Sequence, residues 1–213
     1  MSNHYFKTGL MAELLSALLV LSGCALTGGG GSADELADPL ASVPAATQKA
    51  YGRAVARLEQ GDDAEAAARL ELFIEDHPGF ANAYVNLAIV RMRQEETAAA
   101  ADLLEQALAL DANNVFALNQ LGLIRRQQGD FAGAADVWQQ ATVANPDYAN
   151  AWYNLGVLND LYLHDLPAAL QNYQAYQSLT GSIDGDPAVA RWIADLERRI
   201  GMPAQAARAE GAR

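Results

Sequence analysis

Hydrophobic and small residues recur along this chain in columns 34 positions apart between Thr47 and Gly181. A small residue returns in register at Ala54, Ala88, Gly122 and Gly156, directly after Arg53, Leu87, Leu121 and Leu155. A second small column follows twelve residues later at Ala66, Ala100 and Ala134. Around the first column, Tyr84, Leu118 and Trp152 join Leu87, Leu121 and Leu155 in one helical stripe. Around the second stand Leu70, Leu104, Trp138 and, displaced by one, Tyr173, with Phe73, Ala107, Ala141 and Tyr176 as companions. Turn signals separate the two stripes at Gly61-Asp62-Asp63, Glu95-Glu96, Gly129-Asp130 and His164-Asp165. Others separate the blocks at His77-Pro78-Gly79, Asp111-Ala112-Asn113 and Asn145-Pro146-Asp147, where proline ends one helix and shapes the next turn. Each block therefore reads as two antiparallel helices in which facing small residues admit close backbone approach. A period of this length predicts a helical solenoid.

These columns resemble the tetratricopeptide repeat. The third block matches best, with Leu121-Gly122, Gly129-Asp130-Phe131, Ala134, Trp138, Ala141 and Pro146, and the fourth opens with Trp152, Leu155 and Gly156. The first departs at Ala50, Arg53 and Ala54, the second lacks the terminal proline at Ala112, and the fourth carries one extra residue near Leu163, so that its second helix is read from Pro167. The resemblance implies an all-α, right-handed superhelical solenoid of about four helix pairs, with repeats at 47–80, 81–114, 115–148 and 149–181. A capping helix is predicted over 182–201: Asp186-Pro187 opens it, Val189, Trp192, Ile193, Leu196 and Ile200 share a face, and Arg198 and Arg199 suit its last turn. Gly201 is expected to close it, and 202–213 to fray. Such a helix covers the apolar end of a solenoid.

Ahead of the repeats, Lys7 precedes a short apolar run, Leu14 to Leu21, that ends at Leu21-Ser22-Gly23-Cys24. The run is too short for a permanent span and reads as an export signal over 1–23. Its ending resembles the bacterial lipoprotein signal, which implies a covalent lipid on Cys24; an uncleaved core segment, or an ordinary signal with a chance cysteine, is the other reading. Cys24 is the sole cysteine, so no disulfide forms within the chain. Ala25 rather than aspartate follows it, which in that family implies residence in the outer membrane of a Gram-negative bacterium, facing the periplasm, rather than inner-membrane anchoring. Residues 24–46, with the run Gly28 to Gly31 and prolines at 39 and 44, read as a tether, or as a tether with a short helix at 34–40. As a flexible chain the tether reaches roughly 25 Å.

The net charge is -12 over 213 residues, and removing 1–23 deletes one charge of each sign, Lys7 and Glu13. Nucleic acid, which needs clustered Lys and Arg, is excluded as a partner by this acidity. Catalytic and metal-binding residues are expected to be absent: His4, His77 and His164 have no ligand spacing, and the glycine run lacks the lysine of a phosphate loop. Neither a cofactor nor a small-molecule substrate is expected. The repeat family usually receives a peptide or partner helix on the concave face formed by first helices. Carried onto this sequence, that surface comprises Gln48, Tyr51 and Val55; Asn82, Val85, Asn86, Ile89 and Arg93; Phe116, Asn119, Gln120, Leu123 and Arg126; and Asn150, Tyr153, Asn154, Val157 and Asp160. Asn86, Gln120 and Asn154 recur every 34 residues and suit either a peptide backbone or bridges between adjacent helices. Tyr51, Phe116 and Tyr153 are candidate anchors, and Arg93 and Arg126 suit an acidic partner or the solenoid's own acidic turns. The expected function is a membrane-anchored interaction scaffold for an envelope assembly machine, of the pilus-secretin, outer-membrane or cell-wall type. The alternative is a periplasmic carrier that holds extended exported polypeptides.

Overall fold

A computed structural model describes residues 43–181 and 187–210, the backbone alone over 202–210. The helices pair in chain order: α1 (Ala45–Glu59) with α2 (Asp63–Asp76), α3 (Ala81–Arg93) with α4 (Thr97–Leu110), and α5 (Val115–Gln127) with α6 (Phe131–Ala144). The last pair is α7 (Ala149–Leu158), extended by a π-helical turn (Asn159–Leu163), and α8 (Leu166–Thr180); α9 (Pro187–Glu210) packs on α8. No strand occurs among the described residues, and the fold is an all-α superhelical repeat. Successive first helices touch, α1 on α3 and α3 on α5, whereas second helices make no comparable contact with one another. The first helices therefore line the inner track of the superhelix.

Side-chain caps start three of the four second helices and one first helix. Asp62, Asn114, Asp130 and Asp165 each accept a hydrogen bond from the backbone N–H three residues on, at 3.3, 3.0, 2.9 and 3.1 Å. Each such cap contributes about 1 kcal/mol by satisfying an otherwise unpaired amide. The first helices stop in a left-handed residue at a fixed place in the repeat: Gly61 (φ 75°), Glu95 (φ 64°) and Gly129 (φ 80°). Just beyond it, the N–H groups of Asp62, Glu96 and Asp130 reach back to Arg57, Arg91 and Arg125 carbonyls at 3.0, 2.8 and 2.9 Å. Glu95 adopts there a conformation that glycine adopts without steric cost.

The fourth pair solves the same turn with one more residue. His164 (φ 56°) holds the left-handed position, and the Asp165 N–H bonds the Asn159 carbonyl at 2.9 Å, six residues back instead of five. The π turn absorbs the insertion, so the register of α8 on α7 is preserved.

Packing within a pair differs from the expected apposition of small residues. In each of the last two repeats a large ring fills the space left by the missing side chain of glycine. A Cβ on Gly122 would overlap the Trp138 indole, and one on Gly156 would lie 2.5 Å from the Tyr173 ring. Trp138 is fully buried, and its Nε1 donates to the Asn119 carbonyl at 3.2 Å. Between repeats, the Tyr84 hydroxyl donates to the Pro78 carbonyl (3.0 Å) and Trp152 Nε1 to the Pro146 carbonyl (2.8 Å). Leu118, at the equivalent position, cannot donate, and there the preceding turn carries Ala112 in place of proline. One apolar cluster runs from Tyr51 to Ala151, and a separate one joins Ala169 and Tyr173 to Val189, Ile193 and Leu196 of α9.

Two boundaries depart from the sequence expectation. Helix α1 begins at Ala45, immediately after Pro44, so the tether as read from sequence ends two residues early. Gly201 does not close α9, which continues to Glu210. A mid-helix glycine costs only about 1 kcal/mol, and the alanine-rich sequence after it favours helix. Cys24, the apolar run, the spacer and Asp186 lie outside the described residues.

Glycine-to-alanine exchanges separate the two roles of helical glycine. Gly52 lies within α1 with open space around its Cβ position, so Gly52→Ala is expected to stabilise by about 0.5–1 kcal/mol. Gly122→Ala is expected to destabilise by about 1–3 kcal/mol through overpacking on Trp138. Urea denaturation midpoints measure both, and shifts of the same sign would refute the packing account.

Candidate functional site

The candidate surface is the inner track of first helices, and most of its predicted side chains are already spent on the solenoid. Tyr51, Val85, Ile89, Asn119, Gln120, Leu123 and Asn154 are buried. Tyr51 packs edge-on against Phe80 (5.1 Å between centroids) and tilted against Phe73 (5.2 Å), and its hydroxyl reaches the Asn82 carbonyl at 3.3 Å. It is a core residue of the first repeat junction rather than an accessible anchor, because α3 closes over it. The aliphatic members Val85, Ile89 and Leu123 are likewise packed inward, the first two in the main apolar cluster and Leu123 beside Trp138 and Leu155.

The amides form bridges between repeats. Asn86 Nδ2 donates to the Tyr51 hydroxyl at 2.6 Å, Asn114 Nδ2 to Asn82 Oδ1 at 2.8 Å, and Asn154 Nδ2 to Asn119 Oδ1 at 2.8 Å. These links join residues one repeat apart and set neighbouring repeats in register. Gln120 Oε1 and Asn154 Oδ1 are buried and accept no hydrogen bond among the described residues. An unpaired buried carbonyl costs roughly 1–3 kcal/mol, so both oxygens favour a donor wherever one can reach them.

The arginines divide. Arg93 donates to the Leu58 carbonyl and to Asp63, both at 2.9 Å, so it clamps adjacent repeats through an acidic turn. Arg126 lies with its guanidinium carbon 5.9 Å from the Trp138 ring centre. Asn86, Arg93, Phe116, Arg126 and Tyr153 retain partial exposure, and they are what the inner face presents from the predicted set. Phe116 packs edge-on against Tyr148 at 5.5 Å.

Two features were missed in the sequence. First, α9 reaches the inner face of the last repeat as well as its end: Trp192 lies 6.2 Å from Tyr153 and 5.4 Å from Tyr173 between centroids, and Arg199 pairs with Asp160 at 3.3 Å. Tyr153 and Asp160 are thus partly covered by the cap. Second, arginine recurs at 57, 91 and 125 in the repeat period and ties each first helix to the second helix beside it or to the turn between them. The same spacing count that found the glycine column would have revealed it.

Among the described residues, no three metal-ligating side chains come together and no helix is long and apolar enough to cross a membrane. The arrangement is a scaffold: a rigid curved track of stacked helix pairs. Family models described as tetratricopeptide repeat and TPR repeat match residues 43–115 and 122–159. The chain belongs to the tetratricopeptide repeat family, and that membership makes it a protein–protein interaction module. Among solved structures it is similar to pilF of Pseudomonas aeruginosa, at 25% identity and TM-score 0.65 over 75% of this chain and 72% of that one. It is also similar to MamA, at 21% identity and TM-score 0.59 over 76% and 86%. A tetratricopeptide repeat protein from Parabacteroides merdae shares 18% identity with TM-score 0.59 over 74% and 61%. Comparison with curated proteins finds no match.

Two buried phenols give the packing a pH limit. Burial pushes the Tyr148 hydroxyl from its ordinary 10.0 up to about 12, opposed in part by the Asn150 side chain. Tyr173 is pushed up further, by burial first and then by the Asp160 carboxylate and Tyr153. Because the folded values exceed the unfolded one, the associated stability is complete below pH 10 and is lost as pH rises through about 12. Circular dichroism is expected to show cooperative alkaline unfolding in that window, with the midpoint raised in Tyr148→Phe and Tyr173→Phe. An unchanged midpoint in both variants would remove these phenols from the account.

Proposed function

We propose that the chain is a lipid-anchored scaffold of the cell envelope, held through Cys24 on the periplasmic side of the outer membrane and docking one partner of an envelope assembly machine. The observation that carries the docking half is the composition of the inner face. A superhelical track locked by Asn–Asn, Asn–Tyr and Arg–Asp bridges is pre-organised, so a partner pays little ordering cost there. Against that rigid floor, Phe116 and Tyr153 offer half-buried aromatic area, the kind of residue that dominates interface energies.

The anchoring half rests on the Leu21-Ser22-Gly23-Cys24 ending and the glycine-rich stretch after it. A diacylated or triacylated cysteine holds a protein on a bilayer without any transmembrane helix. The acidity of the chain, -12 overall, disfavours adhesion to anionic head groups, so the lipid would carry the attachment. Docking of a pilus-secretin, outer-membrane or cell-wall component is the reading favoured over a carrier of many unfolded chains, because a preset track selects one complementary shape.

Two measurements test the halves separately. Cys24→Ser is expected to abolish acyl labelling and release the protein from the membrane fraction; persistence of both would overturn the lipoprotein reading. Photo-crosslinking from position 116 is expected to return one dominant envelope protein, lost on charge reversal at Arg126 combined with Tyr153→Ala. A broad mixture of polypeptides would favour the carrier instead.

A further inference from the structure

We propose that the open face of α1 is a docking surface for a segment of this same chain, residues 32–42, which closes the amino-terminal end of the solenoid in the manner of a vestigial second helix. The face is made by Ala46, Lys49, Ala50 and Arg53, which share one side of the helix at spacings of three and four and are all exposed. In the later repeats the places of Lys49 and Arg53 are held by Ala83 and Leu87, Ala117 and Leu121, and Ala151 and Leu155, every one of them buried. Each first helix has its own second helix beside it, so that neighbour does not account for the difference. What α3, α5 and α7 have in addition is the second helix of the preceding repeat packed against them. No such neighbour precedes α1 among the described residues.

The sequence before α1 carries the register of such a helix. Counting back 34 residues, Ser32 falls in the small column of Ala66, Ala100 and Ala134, and Leu36 in the large column of Leu70, Leu104 and Trp138. Leu40 falls with Ile74 and Leu108, which pack on the main apolar cluster, and Pro44 with Pro78 and Pro146. The connection has the matching length. Four residues, 77–80, 111–114 and 145–148, join each second helix to the next first helix, and four, 41–44, separate Leu40 from Ala45. Gln48 Nε2 donates to the Val43 carbonyl at 3.0 Å, which ties this connection to α1. Pro39 stands where Phe73 does one repeat later, so the docking element is a short turn carrying Leu36 and Leu40 rather than a full second helix.

Charge complementarity selects this occupant. Residues 25–48 contain Asp34, Glu35 and Asp38 and no lysine or arginine. Lys49 and Arg53 make no ion pair or hydrogen bond among the described residues. Ala46 and Ala50 are small enough to admit Leu36 and Leu40, and the three carboxylates then meet the two cations. A separate acidic partner is repelled by the net charge of -12, whereas a segment attached through four residues is held at high effective concentration. With 32–42 docked, the free chain between Cys24 and the solenoid falls to 25–31, and its reach from roughly 25 Å to roughly 15 Å. That consequence rests on the Cys24 anchor proposed above; the docking does not.

The test uses the full chain carrying Cys24→Ser, which takes the lipid out of the experiment. A diazirine amino acid is placed at position 50 or, as control, at position 72 on α2, which is 61% exposed. Cross-linked peptides are mapped by mass spectrometry in a mixture of isotope-labelled and unlabelled chains, which separates capture within one molecule from capture of a second copy. The expected result is a peptide within 32–42 captured from position 50 of the same molecule and not from position 72. Leu36→Ser with Leu40→Ser should lower this capture about fivefold or more. Lys49→Glu with Arg53→Glu should lower it about three- to fivefold, and adding Asp34→Lys, Glu35→Lys and Asp38→Lys to that variant should recover about half or more. All these positions lie on the exposed face or ahead of the solenoid, and circular dichroism checks that the helices remain. Capture of a second copy, equal capture from the two positions or no capture of 32–42 would overturn the proposal, as would failure of the reversed charges to restore it. With no lipid present, none of these outcomes touches the anchoring, which fails only in the acyl-labelling experiment.

Discussion

In the last two repeats, a ring from the second helix stands where the first helix has no side chain. Trp138 against Gly122 and Tyr173 against Gly156 bring paired helices close enough for the surrounding leucines to interdigitate. The fit is exclusive in both directions, since a larger residue overlaps the ring and a smaller ring leaves a void. The first two repeats use smaller partners: Ala54 and Ala88 are buried, as are Leu70 and Leu104 opposite. With each pair's thickness set this way, stacking pairs at a constant interval produces the track, and polar links such as Asn154 to Asn119 set neighbours in register.

Those links explain why the inner face is less open than a list of its positions implies. A helix-lined groove must satisfy its own amides before it can offer them to a partner, and a neighbouring first helix is always the nearest donor or acceptor. Asn86 and Asn154 are occupied through their amide nitrogens, Arg93 through Asp63 and a carbonyl. Half-used groups remain, notably the oxygens of Gln120 and Asn154. The structure thus trades free recognition groups for rigidity, and rigidity lowers the entropy lost on docking.

Much of this architecture was legible beforehand. Helix pairs, turns and the register of four repeats followed from columns at one spacing, because a solenoid repeats its local physics and each column marks one environment. The capping role of the Trp192 stripe was also readable. The additional residue near Leu163 was visible, but its form as a π turn was not, since an insertion can be absorbed in loop or helix. The helix beyond Gly201 was missed because one glycine is a weak stop signal against a run of alanines.

By itself, the sequence determined the family, the all-α repeat fold and the acidic character of the whole. Tertiary structure alone decided which polar side chains were spent. Periodicity assigns a residue to a face, but accessibility depends on what the next repeat brings to that face. Tyr51 is enclosed by α3, Tyr153 is met by Trp192 from α9, and Arg93 is taken up by Asp63 and the Leu58 carbonyl of the preceding repeat. Such pairings join residues a repeat or more apart, and their outcome rests on distances of a few ångströms that spacing along the chain does not encode.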